Sequence, residues 1–138
     1  MPSLDVYHDV VRAALLKDGW QITHDPFHIR WGSKDVYIDL GAEQLLAAEQ
    51  GERKIAVEIK SFLSPSPLKD LEQALGQFIL YHDILAQIEP DRILYLAIRK
   101  AVYFDLFSDP AGKILLDNQR LRLIVFDANA QEIVKWIP

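Results

Sequence analysis

The chain has 138 residues, half of them hydrophobic and a quarter charged, which suits one globular domain over residues 1–138 and is too short for two ordinary domains. The N-terminus has no basic region followed by an apolar one, which leads us to expect a cytoplasmic protein. The absence of cysteine excludes disulfides and a cysteine nucleophile and agrees with an intracellular setting. The net charge of −5 argues against a general nucleic-acid coat, although an acidic metal site would fit it. No stretch approaches the roughly 18 apolar residues of a membrane span, so no membrane partner is expected.

The first half of the chain predicts one helix followed by short strands. Apolar residues recur at spacings of three and four from Ser3 to Asp18, and Gly19 follows as a helix stop. Extended segments then alternate with turn residues and form a short antiparallel meander, whose last two strands make a hairpin. These predicted segments are Thr23 to Trp31, Asp35 to Leu40, Glu43 to Glu49 and Lys54 to Phe62.

The second half predicts helices alternating with buried strands. Ser66 followed by Pro67 is a strong helix start, and the apolar stripe behind it indicates a long helix from Leu68 to Gln87. Gly76 lies in the middle of that helix, where it costs about 1 kcal/mol relative to Ala, so we expect it to permit close approach to the sheet. A strand at Arg92–Ile98, a helix at Ala101–Ser108, a less regular stretch through Asn118, a strand at Leu121–Phe126 and an edge strand at Gln131–Ile137 complete the order.

The segment from Leu45 to Phe62 carries the strongest chemical signal. Its second strand holds Glu58 and Lys60 two residues apart, hence on one face of the sheet. A carboxylate and an ammonium so placed can bind a divalent metal and orient a water, which is nuclease chemistry. The competing interpretation is an ordinary solvated sheet face, because such a pair also arises by chance in strands with one polar side.

Four segments of the chain together resemble a known family. They are YHDVVRAALLKDGWQITHDP, IDLGAEQLLAAEQGERKIAVEIKSF, ALGQFILY and RILYLAI. The IAVEIKS strand and the element order resemble the PD-(D/E)XK restriction-endonuclease-like superfamily, and within it the fdxN-element excision controlling factor family, XisH. The resemblance implies an α/β fold with an αβββαβ core, in which a mixed central sheet is flanked by helices.

The same resemblance implies a function and partners. It implies an accessory factor that controls excision of a DNA element during heterocyst differentiation, acting with a site-specific recombinase and a small XisI-type companion. It also implies a metal-dependent endonuclease scaffold using Mg²⁺ and hydrolysing DNA phosphodiesters. Whether that scaffold is catalytic is left open by the sequence.

The superfamily motif implies the catalytic residues Glu43, Glu58 and Lys60. Glu58 and Lys60 match the (D/E)-x-K pair, and Glu43 and Glu58 would hold the metal. Glu43 is preferred as the preceding acid because it opens the first strand of the hairpin and is expected to face Glu58, whereas Asp39 lies beyond Gly41. Most members have Asp at that position, so Glu43 is a departure from the pattern.

Supporting residues are expected on the two main helices. On the first, the place of an acid found in many resolvase-like members falls on His8, with Asp9 adjacent. On the second, Gln77 and Tyr81 lie at i and i+4 and resemble the Gln-x-x-x-Tyr pattern that supports such sites. Asp39 completes this supporting set. The competing interpretation of His8 is a helix-surface histidine, and that of Gln77 and Tyr81 is a pair that only caps the sheet edge.

Three functions therefore remain open at this stage. The first is a metal-dependent nuclease, the second a non-catalytic DNA- or protein-binding recombination factor on a degenerate nuclease scaffold, and the third a toxin-like nuclease restrained by its companion. We also expect a homo-oligomer, or binding of a small protein, through apolar surface such as the region from Tyr103 to Phe107. A zinc site at His24 and His28 is disfavoured because no third ligand accompanies them.

Overall fold

A computed structural model describes residues 6–45 and 52–138, and only the backbone of residues 40–45 and 52. It shows an α/β protein in which four helices and eight strands lie within the described ranges. The helices are α1 (His8–Lys17), α2 (Pro67–Ile88), α3 (Lys100–Leu106) and α4 (Pro110–Asp117). The strands are β1 (Gln21–His24), β2 (Phe27–Trp31), β3 (Lys34–Ile38), β4 (Leu40–Leu45), β5 (Glu52–Ile59), β6 (Arg92–Arg99), β7 (Leu123–Asp127) and β8 (Glu132–Ile137).

Six of these strands form one mixed sheet in the order β1-β4-β5-β6-β7-β8. The pairs β5–β6 and β6–β7 are parallel, and the other three neighbouring pairs are antiparallel. The crossovers from β5 to β6 and from β6 to β7 carry α2 and the α3–α4 pair, as parallel neighbours require. The predicted mixed central sheet and the edge position of the last strand are confirmed.

The predicted meander is broken in one respect, because β2 and β3 form a separate two-stranded sheet. Their apolar residues Phe27, Ile29, Val36 and Ile38 turn toward the core on the α2 side. The meander prediction was wrong for these two strands, since strand-forming residues alone do not say which sheet a hairpin joins.

The core is divided into two layers by the main sheet. On one side Ala56, Leu94 and Leu96 pack with Leu71 and Phe78 of α2. The other layer combines β5 and β6 residues with α1 and with aromatic side chains, namely Val11, Leu15, Trp20, Ile55, Val57, Ile59, Tyr95, Ala97, Ile124 and Phe126. Because successive strand residues point to opposite faces, α1 and α2 cover opposite faces of the sheet.

Helix α2 begins as predicted, with Ser66 accepting a hydrogen bond from the backbone N–H of Lys69 and Pro67 at its first position. The expectation for Gly76 was wrong. Gly76 is exposed, and a Cβ placed on it would meet nothing within 4 Å. Leu68 and His82, two members of the predicted apolar stripe, are exposed and do not belong to the buried face of the helix.

Several element boundaries differ from the prediction, and three of them affect the interpretation. Helix α1 begins at His8 instead of Ser3, and residues 1–5 lie outside the described ranges. Strand β4 begins at Leu40 and runs through Gly41, whereas residues 46–51 of the predicted strand and turn lie outside the described ranges. The stretch before Asn118 contains α4, which starts at Pro110 after Asp109. Among the described helices, none has the length and apolar character needed to cross a membrane.

Candidate functional site

Glu58 and Lys60 lie at the carboxyl end of β5, near the middle of the main sheet. Their neighbours Val57 and Ile59 point into the α1 layer, whereas Ala56 points into the α2 layer. Glu58 therefore shares the α2 side of the sheet, and Lys60 follows it at the strand end. Both residues are half-buried. The sheet thus carries a carboxylate and an ammonium under the long helix, as the sequence predicts.

The acid that stands beside Glu58 is Asp39, and the expected pairing of Glu43 with Glu58 is wrong. Strand β4 starts at Leu40, so Leu40 pairs with Val57 and Glu43 pairs with Lys54, four residues from Glu58. Asp39 precedes Leu40, and its Oδ2 accepts a hydrogen bond of 3.1 Å from the backbone N–H of Ile59. The register was misjudged because Gly41 was taken as a break, whereas the strand passes through it.

Lys60 is held by helix α2. Its Nζ donates a 3.0 Å hydrogen bond to Oε1 of Gln73, in the second turn of that helix. Gln77, the residue predicted to support the site, lies one turn further along and is half-buried. Gln73, Gln77 and Tyr81 follow one another at steps of four and so form one stripe on α2. The same spacing rule that selected Gln77 and Tyr81 would have found Gln73 if it had been extended by one turn.

Tyr81 reports the negative charge of this region. The pKa of its phenol is raised above the ordinary value of 10.0, first because the ring is partly buried and then because of the charges of Glu58 and Asp39. Two carboxylates, one immediately before β4 and one in β5, therefore act on one α2 side chain. We refer to Asp39, Glu58 and Lys60 as the β4–β5 cluster.

The two α1 residues predicted to support the site are placed differently. His8 is buried, and its Nε2 lies 2.7 Å from Oδ1 of Asp25, which also forms an ion pair with Arg12. Asp9 is exposed in the first turn of α1. His8 thus anchors α1 to the turn after β1, an interaction that spacing within the helix could not reveal.

A second cation lies next to the carboxyl end of β5. The Nη2 of Arg99, the last residue of β6, donates a 3.0 Å hydrogen bond to the carbonyl of Ser61, and its guanidinium lies 5.1 Å from the centre of the Tyr7 ring. Sequence analysis missed Arg99 because a charged residue at the end of a buried strand resembles a simple boundary residue.

The histidines outside the cluster have structural partners. His28 Nε2 lies 2.9 Å from Oδ1 of Asp35, and His24 Nδ1 lies 2.9 Å from the Thr23 hydroxyl. Within residues 6–39 and 53–138, no three His, Asp or Glu side chains gather as a metal-binding group. A metal at the β4–β5 cluster would have two side-chain carboxylates there.

Comparison with known proteins gives the family. The model of the XisH protein family matches residues 1–134. The chain belongs to the XisH family. A crystal structure of an XisH family protein from Nostoc punctiforme superposes with a TM-score of 0.87 at 38% identity, covering 97% of this chain and 100% of that one. This chain is also similar to a crystal structure of an fdxN element excision controlling factor protein from Anabaena variabilis.

That second structure has a TM-score of 0.85 and 43% identity, and the match covers 98% of this chain and 100% of the other. The search of curated proteins gave no match. The XisH resemblance deduced from the four sequence segments is therefore confirmed over almost the whole chain.

Proposed function

We propose that this XisH-family protein controls excision of a DNA element by Mg²⁺-dependent hydrolysis of DNA phosphodiesters at the β4–β5 cluster, on a restriction-endonuclease-like core. The observation that carries the proposal is the position of Asp39 beside the Glu58-x-Lys60 strand at the centre of the sheet. The order of α1, the β4–β5 hairpin, α2 and the parallel strand β6 agrees with that core.

The donor set of the cluster suits Mg²⁺. This ion prefers oxygen ligands and keeps several waters, so proteins often hold it through one or two carboxylates and the phosphates of the substrate. Asp39 and Glu58 supply two carboxylates, and the raised pKa of Tyr81 supports the view that their charges act in one place. When bound, Mg²⁺ lowers the pKa of a coordinated water and neutralises charge on the phosphate.

Lys60 has a separate role in this proposal. Its hydrogen bond to Gln73 uses one of the three N–H donors of the ammonium and fixes the side chain at the strand end. The remaining donors orient the attacking water and stabilise the charge that develops on the phosphate oxygens as the bond from phosphorus to the leaving sugar oxygen breaks. Gln73 acts through Lys60 and is a positioning residue.

DNA cleavage with matched variants tests the proposal. Linear, branched and single-stranded DNA are incubated with Mg²⁺ and the wild type, Asp39→Asn, Glu43→Gln, Glu58→Gln or Lys60→Met. Wild type and Glu43→Gln are expected to cleave, and the other three to lose at least about a hundredfold in rate, as is typical when a group that stabilises the transition state is removed. Loss in Glu43→Gln with retention in Asp39→Asn would restore the original assignment of the acid.

A second candidate is a non-catalytic factor on the same scaffold, which binds DNA, an XisI-type companion or a recombinase. The observation that favours it is the hydrogen bond from Ile59 N–H to Asp39, since it gives that carboxylate a purely structural use at the end of the hairpin. Absence of cleavage on all three DNA forms, with Mg²⁺-independent binding to DNA or to the companion, would favour this candidate.

A further inference from the structure

The outward face of α2 combines apolar side chains with an open glycine. The opposite face of the helix is buried through Leu71, Phe78 and Leu85. Outward-facing Leu80 is 53% exposed and Ile79 is 47% exposed, on the turn that follows Gly76. Apolar residues grouped in this way on a helix indicate contact with another surface.

Gly76 is not needed for close packing within the described residues of the chain. An exposed glycine in the interior of a helix makes the helix less stable than alanine would. A Cβ at this position would meet nothing within 4 Å, so the fold would accept alanine there without any rearrangement. The missing Cβ is useful only to a neighbour that approaches the helix from outside, because two helices pack more closely where one of them presents a glycine.

One pair of opposite charges on this face lies symmetrically about Gly76. Lys69 and Asp83 each lie seven residues from it, one on each side, and both are exposed. Two copies of α2 that cross antiparallel at Gly76 therefore bring Lys69 level with Asp83 of the partner subunit, and the two-fold axis produces this pair twice. Asp83 otherwise has a 3.4 Å contact with the neighbouring His82.

We propose that the protein forms a two-fold symmetric homodimer in which the α2 helices pack antiparallel with Gly76 at their crossing point. Leu80 then packs beside the partner's Gly76 and against the aliphatic stem of Glu72 of the partner subunit. A shallow crossing angle of about 20° keeps the two charge pairs within reach on both sides of the crossing. The charge symmetry and the open glycine are independent observations that point to a second copy of this chain.

The region from Tyr103 to Phe107, predicted earlier as an association surface, offers less. Phe104 is 64% exposed, but Phe107 is buried and Tyr103 is half-buried with Lys135 against its ring. No symmetric pair of opposite charges accompanies Phe104 on α3. The charged residues of this helix are Lys100 and Asp105, and Lys100 already forms an ion pair with Asp127.

The dimer also has a position relative to the β4–β5 cluster. Gln73 lies three residues before Gly76 and Ile79 three residues after it, so the two-fold axis brings Ile79 of the partner subunit to the level of Gln73 along the helix. Gln73 in turn holds Lys60. Assembly would therefore cover the outer side of the Lys60–Gln73 hydrogen bond with the partner's helix.

Sedimentation equilibrium of the full chain, measured over a range of concentrations, tests this proposal. The variants are Gly76→Ala, Lys69→Asp, Asp83→Lys and the double charge reversal, with Lys113→Asp on exposed α4 as the matched control. We expect a wild-type dimer whose dissociation constant rises about tenfold or more with each single reversal and returns toward wild type in the double reversal.

Gly76→Ala is expected to have two opposite effects, one on the stability of the monomer and one on the affinity of the dimer. It should raise the thermal stability of the monomer through helix propensity and at the same time weaken the dimer by blocking close approach. A monomeric wild type overturns the proposal, as does a dimer whose dissociation constant is unchanged by Gly76→Ala or is not restored by the double reversal. DNA cleavage is not part of this test, so its outcome is independent of the proposed nuclease activity.

Discussion

Replacing Asp39 in two ways separates its structural use from its proposed use as a metal ligand. In the absence of metal its Oδ2 accepts the N–H of Ile59 at 3.1 Å in a half-buried position. A hydrogen bond to a charged group contributes about 1.5–3 kcal/mol, so Asp39→Ala should destabilise the metal-free protein by roughly 2 kcal/mol. At about 3–4 °C per kcal/mol for a chain of this size, the melting temperature should fall by roughly 7 °C.

Asp39→Asn keeps an oxygen that can accept the same N–H, so its metal-free melting temperature should stay within about 2 °C of wild type, a shift that corresponds to roughly 0.5 kcal/mol. Both variants should lose the stabilisation by Mg²⁺, which for a single site amounts to about 2.7 kcal/mol at a free concentration one hundred times Kd. The assay is thermal unfolding by circular dichroism, in a chelator and in a Mg²⁺ series. A Mg²⁺-dependent rise in Asp39→Asn equal to that of wild type would refute the metal assignment, and an unchanged Asp39→Ala would refute the structural one.

Three further predictions concern titration and packing. Tyr81→Phe should remove the phenol with the raised pKa from the ultraviolet titration of the five tyrosines, and Glu58→Gln should lower that pKa. Because a raised pKa gives stability that is lost as pH rises above 10.0, Tyr81→Phe should also unfold less readily in alkali. A tyrosine titration that Glu58→Gln leaves unchanged would contradict the electrostatic contact between the two residues. Hydrogen bonds from Lys100 and from the backbone N–H groups of Ala130 and Asn129 lower the pKa of Asp127, so the carboxylate stabilises the folded protein above pH 3.8 and ceases to do so as pH falls through the lowered pKa. Asp127→Asn should therefore make the stability of the protein less dependent on pH in that range. An acid-unfolding curve as steep as that of wild type would count against this prediction. Leu96→Ala in buried β6 should lower the free energy of unfolding in urea by about 3 kcal/mol. Ile93→Ala, at a 42% exposed position of the same strand, should lower it by under about 1 kcal/mol. Equal losses for the two variants would show that the assignment of Leu96 to the core is wrong.

The sequence was sufficient for the elements whose residues satisfy a local rule. Ser66 and Pro67 start α2 because their side chains complete a helix terminus by themselves. The apolar run of β6 indicated a central strand because a strand covered on both faces has no polar side. Glu58 and Lys60 could be placed on one face from their spacing alone.

The remaining features depend on contacts between distant segments. The choice of Asp39 over Glu43 follows from the β4–β5 register, which is fixed by where β4 begins and not by residue type. The separation of β2 and β3 into their own sheet, and the pairing of His8 with Asp25, bring together residues that no periodicity links. Gln73 was within reach of the helical spacing rule, but its partner Lys60 lies on another element.

The central claim is that Asp39 and Glu58 share one divalent ion. A crystal of the full chain soaked in Mn²⁺, an ion that prefers the same oxygen ligands and can be located by anomalous scattering, tests it most directly. If the two carboxylates share the ion, one anomalous peak lies at a coordination distance of about 2.0–2.3 Å from an oxygen of each. A peak on Glu43 instead of Asp39, or a cluster that binds no ion in saturating Mn²⁺, would contradict it.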